Sequence, residues 1–168
     1  MDLSRAERII RGKCLLIVDD EKDILDTLVS LLRACKIDAA SSSEEAKKFL
    51  ETNSYDVAIL DIMGVDGYEL LDIAVTRKVP ALMLTAHALS REDLMLSAKS
   101  GASYFVPKEK INEIATYIAD VLEATEEGKN PWVRWYQRLG RFFDKRFGGT
   151  DWREKERDFW EKRARSLF

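Results

Sequence analysis

Five short apolar runs recur along the chain at a nearly even interval, and no other feature limits the fold so strongly. They read CLLIV at 14–18, KIDAA at 36–40, DVAIL at 56–60, ALML at 81–84 and SYFV at 103–106, the second being the weakest. Few polar residues interrupt them, which suits strands covered on both faces, as in a parallel sheet. Helical patterns lie between them. Ile24, Leu25, Leu28, Leu31 and Leu32 share one face, as do Ile111, Ile114, Ala115, Ile118 and Leu122. Ser43 and Ser90 stand where helix N-caps are expected, and Gly101 where a helix stops. The runs end near 18, 40, 60, 84 and 106, a spacing that fits short βα units and predicts a (βα)5 doubly wound α/β domain. Helices on both faces with right-handed crossovers force the strand order to reverse, and ligands bind outside the carboxyl ends of the strands at that reversal.

Functional groups gather at that edge. Asp19 and Asp20 follow the first run, Asp61 the third, Thr85 the fourth and Lys108 the fifth. Carboxylates packed together repel one another unless a cation neutralises them. An all-oxygen set with room for water suits Mg²⁺ better than Zn²⁺ or Ca²⁺. Asp61 then reads as a nucleophile toward a phosphoryl group, with Lys108 and Thr85 as donors to its oxygens. The blander readings are that the three acids cap or precede helices and that Lys108 is a solvated surface lysine. Capping leaves Thr85 and Lys108 at the same edge without a reason. His87, the only histidine, reads as a loop residue near the mouth of the site.

The stretches LLIVDDEKDI, VAILDIMGVDGYELL, ALMLTAHA and GASYFVPK, in that order, resemble the signature regions of the receiver domain of two-component response regulators. The resemblance covers about residues 12–125. It implies a five-stranded sheet in the flavodoxin-like order 2-1-3-4-5, Asp61 as phosphoacceptor charged from a phosphohistidine on a sensor histidine kinase or phosphotransfer protein, and Mg²⁺ held by Asp19, Asp20, Asp61 and the backbone carbonyl of Met63. Thr85 and Lys108 would read the phosphoryl group. Phe105, three residues before Lys108, aligns with the family's switch aromatic, and having no hydroxyl it can respond only through packing. The surface it would control is the fourth helix, fifth strand and fifth helix of the repeat. Two departures stand out: Gly67 comes only six residues after Asp61, as though the loop had lost two residues, and Pro107 precedes Lys108 where the family has proline after its lysine.

The rest of the chain divides by charge and aromatic content. Residues 129–168 hold twelve Lys and Arg against six Asp and Glu, although the whole chain has a formal charge of −3, so an acidic body carries a basic tail. The expected layout is an N-terminal arm at 1–13, the receiver at 14–125, a linker at 126–130 and a basic, aromatic-rich helical extension at 131–168. Asn130 and Pro131 start the first tail helix, Gly148 and Gly149 end it, and Thr150 or Asp151 starts a second. Trp132, Trp135, Tyr136, Leu139, Phe142, Phe143 and Phe147 form an apolar stripe beside Arg134, Arg138, Arg141 and Lys145. Such a stripe must be buried against the chain's own receiver, a second copy in a homodimer, another protein, or a membrane surface. A DNA-binding role is disfavoured, for no recognition helix stands out. No stretch approaches the roughly 18 apolar residues of a membrane span, and Cys14 and Cys35 read as free thiols, which together point to the cytoplasm. The competing functional readings are a receiver-fold scaffold that does not use phosphate and a metal-dependent phosphatase, the second lacking any evident lid insertion.

Overall fold

The computed structural model describes residues 1–86, 90–155 and 157–163, with side chains through Trp160. Five parallel strands, β1 (Cys14–Val18), β2 (Lys36–Ala40), β3 (Val57–Asp61), β4 (Ala81–Thr85) and β5 (Tyr104–Pro107), form one sheet in the order β2-β1-β3-β4-β5. β3 and β4 are buried along their whole length, whereas β2, at the open edge, is mostly part-exposed. That contrast explains why KIDAA is the weakest of the five apolar runs: only one side of an edge strand must be apolar. The register sets Asp61 opposite Leu84 and Thr85 opposite Pro107, so the third, fourth and fifth strands end level with one another.

The helices α2 (Lys22–Leu31), α3 (Ser43–Thr52), α4 (Gly67–Thr76), α5 (Arg91–Lys99) and α6 (Ile114–Glu126) complete the repeat. Ser90 caps α5 as expected, its hydroxyl accepting from the Asp93 amide at 3.0 Å. For α3 the cap is Ser42 and not Ser43, since the Ser42 hydroxyl accepts from Glu45 N at 3.2 Å and Ser43 is already helical. Three consecutive serines left this choice open in the sequence. Gly101 takes a φ of +101°, the left-handed turn that ends the chain's run after α5. The expected N-terminal arm is a helix, α1 (Leu3–Ile10), capped by Asp2 and packed on α6 through buried Ala6 and Ile10.

The tail forms α7 (Trp132–Arg146), α8 (Asp151–Lys155) and α9 (Arg157–Arg163). Asn130 Oδ1 accepts from Trp132 N at 3.0 Å and so caps α7 from one residue before Pro131. Of the possible burial partners for the aromatic stripe, the chain's own receiver is the one observed. α7 lies over β5 and α6, and Trp132, Trp135, Leu139, Phe143, Trp152 and Trp160 are buried within a core continuous with that of the sheet. Trp135 and Trp160 stack at 5.8 Å, and Trp132 meets Trp135 edge to face at 4.9 Å. β5 is the other edge of the sheet, and the indoles blunt it: Trp132 Nε1 donates to Ala102 O at 2.9 Å and Trp135 Nε1 to Phe105 O at 2.7 Å.

Charge pairing fixes the register of this docking. Asp120 of α6 is fully buried and accepts from Tyr104 OH at 2.8 Å and from both Nε and an Nη of Arg138. A buried carboxylate is tolerated when hydrogen-bonded and paired in this way. Arg134 and Arg5 both grip Glu123, so α1 and α7 clamp the same acid on α6. Replacing Trp135 by alanine removes the centre of the aromatic layer and an edge-strand hydrogen bond. A loss of about 3–5 kcal/mol is expected, read as a lowered urea midpoint of the full chain.

Candidate functional site

The carboxyl edge of the sheet brings together the groups that the strand ends carry. Asp19, the residue after β1, is fully buried, and its Oδ1 accepts from the Glu21 amide at 2.9 Å. Asp61 ends β3 and is 3% exposed. Lys108 follows β5, and its Nζ stands 3.0 Å from Asp19 Oδ2, 3.1 Å from Glu21 Oε1 and 3.3 Å from Asp61 Oδ1. One ammonium thus bridges three acids drawn from two strand ends and a helix start and balances only part of their charge. Thr85 is buried at the end of β4, on the strand beside β3. Glu21 is the participant that the sequence did not single out. It sits at the start of α2, where an acid reads as an ordinary helix-end residue, and only the fold brings it to a lysine 87 positions away.

Capping does not explain these acids. Asp66, not Asp61, precedes α4, and α2 begins without a side-chain cap bond. Asp19 makes one turn-type bond through Oδ1, while its buried Oδ2 has no hydrogen-bond partner and meets Lys108 only as an ion pair. Phe105 is fully buried on β5, its ring 5.8 Å from that of Phe143 in α7. His87 lies outside the described residues.

The short loop after Asp61 closes with glycine. Gly64 has φ +84° and Asp66 φ +53°, both left-handed. A Cβ at Gly67 would lie 2.2 Å from Asp61 O, a backbone approach that any side chain would block, and one at Gly64 would lie 2.4 Å from Asp20 Oδ2, so the Asp20 carboxylate would have to swing aside. Met63 is the residue before Gly64, with its side chain in solvent. Ligating oxygens of Asp19, Asp20 and Glu21 lie within 4.8 Å of one another. With an Asp19 Oδ2 that accepts no hydrogen bond and meets only the Lys108 ammonium, this all-oxygen donor set fits a hard divalent cation.

Burial and the Asp19 charge push the Asp61 carboxyl up to about 6, although Lys108 pulls the other way. Burial likewise raises Asp19, against the Glu21 amide and Lys108. For Lys108 burial disfavours the charged form, but Asp19, Asp61 and Glu21 outweigh it and hold the ammonium firmly protonated. A carboxyl raised in the fold binds its proton more tightly there than in the unfolded chain, so it lowers stability as pH rises from about 4 to about 6. Asp61→Asn cannot ionise, and it leaves Lys108 paired with Asp19 and Glu21. Without divalent cation at pH 7 the variant is expected to be more stable by roughly 1–3 kcal/mol, with the advantage gone below about pH 4, as measured by denaturant unfolding across pH.

The family model of the response regulator receiver domain matches residues 15–119, and the chain belongs to that family. The haem response regulator HssR of Staphylococcus aureus is 37% identical over 114 residues, covering 64% of this chain and 50% of the relative. The chain therefore spans about half the length of the curated relatives it matches. Among solved structures, a CheY-like receiver domain protein from Methanospirillum hungatei matches with a TM-score of 0.64 and 27% identity, over 70% of this chain and 98% of that one. A receiver domain protein from Clostridium thermocellum matches with a TM-score of 0.59 and 28% identity, over 68% and 97% respectively. Receiver and sheet order thus stand as the sequence implied, and the tail lies beyond the family match.

Proposed function

We propose that Asp61 is the phosphoacceptor of a two-component response regulator, charged from a phosphohistidine on a sensor histidine kinase or phosphotransfer protein. The observation that carries this reading is the Lys108 ammonium within 3.3 Å of the Asp61 carboxylate at the end of the central strand. An Asp61 oxygen attacks phosphorus, the O–P bond forms as the N–P bond breaks, and the imidazole leaves with the electron pair and the proton already on its ring. Lys108 turns toward the incoming oxygens, and the Thr85 hydroxyl donates to another of them. Phe105 repacks in response, passing the change to β5 and to the face formed by α5, β5 and α6.

Asp19, Asp20, Asp61 and the Met63 carbonyl would hold Mg²⁺; of these, Asp19 and Asp20 stand grouped with Glu21, their carboxylate oxygens within 4.8 Å of one another. Bound there, Mg²⁺ supplies neutralisation of phosphoryl oxygens during in-line transfer. The resting protein already has one such counter-charge in Lys108. The chain is a signalling protein and not an enzyme with outside substrates, in keeping with its family, and its free thiols Cys14 and Cys35 suit the cytoplasm. No helix among the described residues is long and apolar enough to cross a membrane.

The 168-residue chain incubated with Mg²⁺ and acetyl phosphate should gain the mass of one phosphoryl group, as an acid-stable, base-labile adduct that maps to Asp61 and is absent from Asp61→Asn. Folded protein that never forms it would favour a phosphate-independent scaffold. Gly64→Ala, which strains a left-handed residue and pushes the Asp20 carboxylate from its place, should weaken Mg²⁺ binding, as read by calorimetric titration.

A further inference from the structure

We propose that the cleft between α5 and α8 binds a small amphiphilic anion, an apolar chain ended by a carboxylate. The cleft shares no lining residue with the site around Asp61 and does not depend on the chemistry there.

The docked tail creates the cleft. One wall is α5, where Arg91, Met95 and Lys99 follow one another at four-residue spacing and so stack along one helical face. Beside them Leu96 is 48% exposed. The opposite wall is α8, which brings Trp152 and Lys155. Between the walls lies a cavity of about 460 Å³, inside the range of roughly 300–1,000 Å³ that small-molecule sites occupy. Both walls are fixed before any ligand arrives. Ser90 caps α5, while Trp152 Nε1 donates to Asp144 Oδ1 at 2.9 Å and its ring meets Trp135 edge to face at 6.0 Å. A preformed cavity spares a ligand most of the ordering cost of binding.

The charge of the lining selects an anion. Arg91, Lys99 and Lys155 stand against a single acid, Glu92, on a receiver body that is acidic as a whole. The Lys99 ammonium lies 5.7 Å over the ring of Phe159. Arg91 and Lys155, one on each wall, make no ion pair among the described residues. Cations set in an apolar recess attract a negative group, and the planar fork of an arginine matches the two oxygens of a carboxylate.

The apolar part of the lining sets the rest of the ligand. Met95 offers an adaptable thioether, and Leu96 and Trp152 add hydrocarbon surface. An inorganic anion would leave that surface in water, and a neutral hydrocarbon would leave the cations unmatched. A protein partner fits less well. Leu96 is the one exposed large apolar side chain of the cleft, whereas a stable protein interface covers about 800 Å² on each side around an apolar centre.

The 168-residue chain is titrated calorimetrically with sodium decanoate, below its micelle concentration, and with decanol. The expected result is saturable binding of one decanoate per chain, several-fold tighter than decanol. Leu96→Glu, and separately Arg91→Gln combined with Lys155→Gln, should each weaken it about tenfold or more. These three side chains are all at least part-exposed, so their replacement spares the core. Glu92→Gln removes the acid of the lining and should tighten binding several-fold, a gain that a damaged fold cannot give. Decanoate that gives only heat of dilution or binds no tighter than decanol overturns the site. Equal affinity for the parent chain, the weakened variants and Glu92→Gln overturns it as well.

Discussion

The ion cluster around Lys108 is the contact on which the rest of the molecule turns. Two buried carboxylates, Asp19 and Asp61, lie at the ends of adjacent parallel strands, where a low-dielectric core would force them to protonate or separate. A third strand end brings in one ammonium that touches both. The strand order 2-1-3-4-5 makes this possible, since β3 stands between β1 and β4 with β5 beyond, and their level ends place acids and lysine around one crevice. The same cluster leaves Asp61 under charge stress, which a proton or a cation relieves.

Around that crevice the loop after Asp61 is short and turns sharply. Left-handed Gly64 and Asp66 reverse the chain in few residues, and Gly67 lets the start of α4 press against the Asp61 backbone. Glycine at 64 also leaves space for the Asp20 carboxylate beside the other acids. The short loop is thus closed by backbone conformation, and Asp61 and Lys108 meet at the edge.

Most of the repeat was legible because buried parallel strands leave an unbroken apolar record, as β3 and β4 show, and because strand ends predict which residues meet. Glu21 was not, since its role depends on a long side chain reaching an element distant in sequence. α1 was overlooked because eight residues with buried Ala6 and Ile10 make too small a stripe to separate from a charged arm. The aromatic stripe of α7 announced that something must cover it, but amphipathicity does not name the partner. What selects the receiver is the pairing of Arg134, Arg138 and Arg146 with Glu123, Asp120 and Glu109, together with indole donors matched to carbonyls at the sheet edge.

These parts give a chain in which the site and the covered face share one strand. The most direct measurement is a crystal structure of the full chain with Mg²⁺ and beryllium fluoride, which mimics an acyl phosphate. The account expects the fluoride adduct on an Asp61 oxygen, with Lys108 Nζ and the Thr85 hydroxyl on its fluorines and Lys108 parted from Glu21. An empty Asp61, or a Lys108 still locked on Asp19 and Glu21 beside a bound adduct, would contradict it.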